Sequence, residues 1–411
     1  MAKKKPRKMA SLSWKKKIIF SIITLSISLI VLELCCRVFF AFYVGPSVLL
    51  YGTPFQRQEI KGSSSVSGHE KMATAKAILG KIGRGEWNKR RTVEIPQIED
   101  KGYLKYFPNQ KKNDFDMDTG ERFDVTINSR GFRGREFTDE KKTGVIRIVC
   151  LGASSTFGYF DKDDQTYPVY LEQKLNEKYS GNAKFEVINL GIPLLRSFEI
   201  YNLFMQEVIP LKPDLITYYE GSNDSDPPEE WLTMSLLHHR IKRVGRVSML
   251  ARFIDSMFSR YHKILYPSLA SKEIEDISNN YINYIAKIYE ECRKRGIVFV
   301  VASQQKNSTA FDRETQKHLT YKEEVALIQD KFEKSGALIH PELAFLIHSV
   351  LMDRLKSWAK ENQVPFVDII AKLDHDRDVL VSWVHLNAKG NRMVAEALAE
   401  KILQHDWEQH N

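Results

Sequence analysis

The sequence predicts a three-layer α/β/α sandwich on a mostly parallel five-stranded sheet, preceded by one N-terminal transmembrane helix. Two observations carry this. After Gly144, short apolar runs rich in β-branched and aromatic residues alternate with longer amphipathic stretches, the pattern of buried strands joined by crossover helices. Far ahead of that region, an apolar run directly follows a dense basic segment, the pattern of a membrane anchor.

From the N-terminus, Lys3, Lys4, Lys5, Arg7, Lys8, Lys15, Lys16 and Lys17 supply eight charges of the net +9 with no acid among them, leaving about +1 for all that follows. A broad basic face is therefore excluded, and a nucleic-acid partner with it. Residues 18–32 carry no charge, and the apolar run resumes past Glu33 and Arg37 to Val44. Residues 18–44 are read as a single-pass signal anchor, with 1–17 a cytoplasmic tail and the remainder periplasmic or extracellular. Glu33 and Arg37 stand one helical turn apart, placed to pair or to snorkel. No small-residue cleavage site follows, which favours a retained anchor. Cys35 and Cys36 fall inside the anchor, and Cys150 and Cys292 on a buried strand and an apolar helix face, so no disulfide framework is implied.

Residues 45–100, with the Gly62–Gly68 serine run, read as a tether. Residues 101–144 are broken by Pro108-Asn109, Asp118-Thr119-Gly120 and Asn128-Ser129-Arg130-Gly131 and read as a β-hairpin lead-in. The main domain is expected over 145–405, with strands at Ile146–Leu151, Phe185–Leu190, Leu215–Tyr219, Val298–Ala302 and Pro365–Ile369. Tyr167, Leu171 and Leu175 mark one amphipathic helix. Ile274, Ile277, Tyr281, Tyr284, Ile285, Ile288 and Cys292 mark another, closed by Gly296. An insertion over 225–270 mixes apolar and basic residues; it suits a lid, an acyl-binding wall or a membrane-facing segment as well as a helical insertion that only packs on the domain. Within it, His238-His239 lacks supporting ligands, so no metal or other cofactor is expected. Asn307-Ser308-Thr309 matches a glycosylation sequon.

Polar and glycine residues gather at the C-terminal ends of the predicted strands, where open α/β sheets bind ligands. The first strand runs into Gly152-Ala153-Ser154-Ser155-Thr156-Phe157-Gly158, the second into Asn189-Leu190-Gly191, the third into Gly221-Ser222-Asn223-Asp224. His385 precedes the C-terminal helix in Trp383-Val384-His385-Leu386-Asn387-Ala388-Lys389-Gly390-Asn391. A serine at a strand-to-helix turn can act as nucleophile, an imidazole as its base, and glycine N–H and asparagine amide groups as donors to an oxyanion. Each block alone is an ordinary turn signal.

Together, in this order, the four blocks resemble the SGNH hydrolase superfamily, also called GDSL-like lipases and esterases. With Asn128–Gly134 ahead of them they resemble its membrane-tethered bacterial branch. The resemblance covers about residues 145–402 and implies an SGNH, flavodoxin-like sandwich. It also implies Ser154 as nucleophile, His385 as base, and Gly191 and Asn223 as oxyanion donors beside the Ser154 amide. Thr156 excludes the G-x-S-x-G elbow of α/β-hydrolases. Two positions depart from the family pattern. Ala153 replaces the usual aspartate after the first glycine, and Ser382 replaces the acid three residues before the histidine. Asp378 or Asp376 could serve instead, a backbone carbonyl could orient the ring in a dyad, Ser382 could bond His385 directly, or activity could be weak or absent.

The implied activity is hydrolysis of an O-acyl ester of a glycan or lipid by a membrane-anchored extracytoplasmic serine esterase. An O-acyltransferase or deacetylase of envelope or exopolysaccharide glycans needs the same machinery. A catalytically silent SGNH-fold binding module and a purely structural anchor protein are the alternatives of other classes.

Overall fold

The structure, a computed structural model, describes residues 13–44, 97–98, 102–227, 248, 250, 263–264, 272–335 and 338–407. The chain divides into two compact units, residues 1–92 with 234–259 and residues 93–233 with 260–411. Most of the tether expected at 45–100 and of the insertion expected at 225–270, including His238 and His239, lies outside the described residues.

In the first unit, α1 (Trp14–Val44) exposes its apolar side chains along the segment 14–38, whose mean hydropathy reaches 2.5 and whose length suffices to cross a bilayer. Arg37 Nε meets Glu33 Oε1 at 2.7 Å, the pairing their spacing predicts. The other Glu33 oxygen accepts Ser248 Oγ at 2.7 Å and Leu250 N at 2.9 Å.

The second unit opens with two antiparallel pairs, β1 (Gln97–Ile98) with β2 (Leu104–Lys105), and β3 (Gln110–Phe115) with β4 (Arg122–Ile127). The β3–β4 turn forms at Asp118-Thr119-Gly120, as expected. Asp116 Oδ1 accepts both the Asp118 and Thr119 amides, and Gly120 takes φ +73°, a left-handed conformation that side chains disfavour. At Asn128–Gly131 the third break is a turn held by Asn128 Oδ1, which accepts from Arg130 N and Phe132 N.

Five parallel strands then build the sheet: β5 (Val145–Gly152), β6 (Lys184–Asn189), β7 (Leu215–Tyr219), β9 (Val298–Ala302) and β11 (Phe366–Val367), in the spatial order β11-β9-β7-β5-β6. In the sequence, β8 (Lys263–Ile264) falls between β7 and β9, and it forms a separate antiparallel pair with β10 (Leu338–Ile339). Residues 146–152 of β5 are all buried, as a central strand covered on both faces requires. Its one charged member, Arg147, is compensated by Glu186 at 2.6 Å and by the Leu211 carbonyl at 2.8 Å.

Two apolar cores flank the sheet. On one side pack α4 (Ser197–Leu203), α5 (Lys272–Lys294), α7 (Tyr321–Ser335) and α8 (His340–Glu361); on the other α3 (Tyr167–Lys178), α9 (Ile369–Leu373) and α10 (Ala388–Ile402). The buried faces carry the predicted periodicity: Tyr167, Leu171 and Leu175 on α3, and Ile274, Tyr281, Ile285, Ile288 and Cys292 on α5. Each such Leu or Ile contributes about 1.5–3 kcal/mol on burial. Gly296, at φ +68°, ends the second helix as expected.

The last strand is shorter than the apolar run Pro365–Ile369 predicts. Asp368 Oδ1 accepts the Ala371 amide, caps α9 and turns the chain into helix after two paired residues. The alternating strands and helices thus give the predicted three-layer α/β/α sandwich. After β5 the chain goes to one side for β6 and then crosses to the other for β7, so the topological switch point lies beyond the C-terminal end of β5.

Candidate functional site

Register places the strand ends side by side: Cys150 pairs with Asn189 and Gly152 with Tyr219, so the loops after β5, β6 and β7 emerge together at the switch point. Ser154 opens α2 (Ser154–Phe157), a single turn closed by Gly158 at φ +83°. The turn lies hard against its neighbours. A Cβ on Gly152 would stand 2.0 Å from Thr156 Oγ1 and 2.5 Å from the Tyr219 carbonyl, and one on Gly191 would stand 2.3 Å from Phe157 N. Glycine is required at both positions by close approach.

The turn after β6 is tied to the serine turn by Asn189. Its Nδ2 donates to the Thr156 carbonyl at 2.9 Å, and its Oδ1 accepts the Gly191 amide at 2.9 Å. The Gly191 N–H implied as an oxyanion donor is therefore already engaged by a side chain. Asn223 donates one Nδ2 hydrogen to the Leu195 carbonyl at 2.9 Å, leaving its second for another acceptor. Asp224 accepts Ser197 N and Ser197 Oγ at 2.9 and 2.6 Å and so anchors this turn to α4. The Ser154 amide, in the first turn of a helix, has no intrahelical acceptor.

His385 completes the group. Its Nε2 lies 2.8 Å from Ser154 Oγ, and its Nδ1 lies 2.7 Å from Ser382 Oγ. Ser382 Oγ also accepts the His385 amide at 3.1 Å, which fixes the hydroxyl against the loop. Ser154 can donate to Nε2 only in the tautomer that carries its proton on Nδ1, and in that tautomer Ser382 Oγ is the acceptor. The rings of Phe160, Tyr159 and Trp383 surround the imidazole, with centroids at 5.3, 5.5 and 5.8 Å. Burial pushes the His385 pKa down to about 3, and no carboxylate opposes the shift.

Neither aspartate considered for the acid position bonds this imidazole. Asp376 pairs with Lys389, and the Asp378 carbonyl accepts Arg313 Nη2 at 3.2 Å. Ser154, His385 and Ser382 are brought together; Gly191 and Asn223 border the same turn through their own hydrogen bonds. Among the described residues no group of three or more His, Cys, Asp or Glu is placed to hold a metal ion.

Sequence reasoning missed the buried loop Ser303–Ser308 after β9. Its residues Gln304, Lys306 and Asn307 are 0%, 5% and 5% exposed, against the usual preference of such residues for solvent. Asn307 Nδ2 donates to the Ser382 carbonyl at 3.1 Å, so the sequon asparagine is enclosed rather than displayed for glycosylation. A six-residue polar run at the C-terminal end of a buried strand, on the ligand side, was the available signal.

Among solved structures, the chain is similar to a GDSL-like lipase from Bacteroides thetaiotaomicron, at 16% identity over 65% of this chain and 92% of that one with a TM-score of 0.38. A catalytic mutant of an acetylxylan esterase from Geobacillus stearothermophilus matches at 14% identity over 64% of this chain and 95% of that one, with a TM-score of 0.38. No curated protein matches. The model of the GDSL-like lipase/acylhydrolase family matches residues 150–393, more than half of the sequence and the whole span from the end of β5 into α10, and the chain therefore belongs to that family.

Proposed function

We propose that this protein is a membrane-anchored, extracytoplasmic serine esterase that cleaves an O-acyl ester of a glycan or lipid through an acyl-enzyme on Ser154. The observation that carries the reading is the Ser154–His385–Ser382 line, with contacts of 2.8 and 2.7 Å. Ser154 Oγ attacks the ester carbonyl while its proton passes to His385 Nε2. The oxyanion so formed is met by the Ser154 amide and the second Nδ2 hydrogen of Asn223; the Gly191 amide joins them if it turns from Asn189 Oδ1. Collapse expels the alcohol, which takes the proton from His385. Water then attacks the acyl-enzyme with His385 again as base, releasing the acid and restoring Ser154.

Ser382 stands where a carboxylate would support the imidazolium. A hydroxyl orients the ring and holds the Nδ1 proton without supplying a compensating charge, so the reading predicts a working but slow enzyme. The basic residues among the first 17 support a cytoplasmic N-terminus and a hydrolase domain outside, with residues 18–44 as the retained anchor.

The test is labelling of the full-length protein in detergent by a fluorophosphonate probe, with release from p-nitrophenyl acetate followed in parallel. Labelling and turnover that vanish in Ser154→Ala and His385→Ala support the esterase. A folded parent that neither labels nor turns over removes it in favour of a silent binding module.

A further inference from the structure

Three loops carry the proposed chemistry, and one buried side chain reaches two of them directly and the third through Ser155. Gln304, fully buried at the end of β9, accepts the Ser222 amide on Oε1 at 2.8 Å and donates from Nε2 to Ser155 Oγ at 3.1 Å. Ser155 Oγ in turn donates to the Val384 carbonyl at 3.2 Å. Ser222 precedes Asn223, Ser155 follows Ser154, and Val384 precedes His385. From these contacts we infer that Gln304 is a positioning residue that holds the serine turn, the Gly221–Asp224 turn and the histidine loop in one register.

The chemistry of the side chain suits the task. A primary amide offers an acceptor and two donors on one rigid plane, so it can satisfy a backbone N–H on one side and a hydroxyl on the other. Ser155, receiving a hydrogen from Gln304, is left with its own hydrogen for Val384, which gives the chain of bonds a single direction. The neighbours of Gln304 work to the same end. Lys306 Nζ donates to Ser225 Oγ at 2.8 Å, while Asn307 donates from its amide to the Trp383 carbonyl at 2.8 Å and from Nδ2 to the Ser382 carbonyl at 3.1 Å. The loop itself is pinned by Arg377, which donates to the Lys306 carbonyl at 3.0 Å and pairs with the buried Glu324; Glu324 Oε1 also accepts the Ser308 amide at 2.8 Å. Buried polar groups are costly unless each is satisfied, so a network closed across three loops resists movement of any one of them. Ser382 orients the imidazole, and this network holds the backbone of the loop from which His385 faces Ser154.

The inference rests on the esterase reading and is tested with it, in the full-length protein. Gln304→Leu, Ser155→Ala and the double variant are compared with the parent for kcat and KM on p-nitrophenyl acetate, probe labelling and thermal unfolding. Gln304→Leu is expected to lower kcat about tenfold with KM nearly unchanged, since it misplaces the reacting groups without touching substrate. Ser155→Ala cuts the arm that runs from Gln304 through Ser155 to Val384, leaves the Gln304–Ser222 bond, and should lower kcat about threefold; the double variant should be no worse than Gln304→Leu because both act along one path. Ser155→Ala removes a single oxygen and keeps the test decisive if Gln304→Leu does not fold. Parental kcat in a folded Gln304→Leu or, failing that variant, in Ser155→Ala overturns the inference and leaves the esterase standing, as do fully additive losses in the double variant. A folded parent without labelling overturns both.

Discussion

His385 and His348 are both buried, and both have Nδ1 at 2.7 Å from a hydroxyl, Ser382 Oγ in one case and Tyr321 OH in the other. Burial lowers the pKa of both, with the Lys306 charge adding to the effect at His348. The difference lies at Nε2. In His385 that atom faces Ser154 Oγ at 2.8 Å, whereas in His348, inside α8, it is buried with no hydrogen-bond partner. A hydroxyl on one ring nitrogen is thus ordinary satisfaction of a buried imidazole. On the proposed esterase reading, position beside a strand-end serine is what gives one of them a chemical task.

The largest expected effect breaks this comparison in one direction only. Ser154→Ala and His385→Ala should each reduce kcat about 10⁴-fold or more, while His348→Leu should leave probe labelling within about twofold of the parent. Loss of labelling in a stable His348→Leu would show that the two histidines are not separable in function.

Next in size are changes at Ser382. Ser382→Ala removes the Nδ1 partner and should cost about tenfold in kcat, the scale of one buried hydrogen bond. Ser382→Asp should instead raise kcat about tenfold, because a carboxylate at this position stabilises the imidazolium formed during attack. The pH profile sharpens the contrast. With His385 pushed down to about 3, Nε2 stays unprotonated, and the labelling rate of the parent should hold level from neutral pH down to about pH 5. In Ser382→Asp the raised pKa should bring an acid limb up towards about pH 6–7.

Stability gives the smaller effects. A Cβ on Gly191 would meet Phe157 N at 2.3 Å, so Gly191→Ala should lower stability by about 2 kcal/mol and Tm by about 5 °C. A buried His385 also penalises folding in acid. Its folded pKa lies below the unfolded value of 6.5, so the unfolded chain takes up a proton that the folded chain refuses. That contribution weakens the fold as pH falls below 6.5 towards 3, and His385→Ala should flatten this part of the stability curve measured by urea unfolding.

Much of the fold was legible in local pattern. β7 and β9 begin and end where their apolar runs do, and β5 and β6 differ from theirs by a residue at each end. A strand covered on both faces must be apolar throughout, and its run of side chains marks its limits. The exception, Pro365–Ile369, failed because Asp368 turns the chain into a helix, a capping choice that apolarity does not register. The strand-end placement of Ser154, Asn189, Gly191 and Asn223, and that of His385 ahead of the last helix, were equally legible, since they follow from the alternation of strands and helices.

By itself, the sequence determined the α/β class, the parallel sheet, the apolar N-terminal helix and the set of loops that converge beyond the C-terminal ends of the strands. These depend on periodicity and on short-range backbone chemistry, which neighbours in the chain supply. Only the tertiary structure decided that Ser382, rather than Asp376 or Asp378, meets His385 Nδ1, that the Gly191 amide is held by Asn189, and that Gln304 bridges Ser222 and Ser155. Those contacts depend on side-chain direction and on distances between residues as much as 149 positions apart, which spacing along the chain does not constrain.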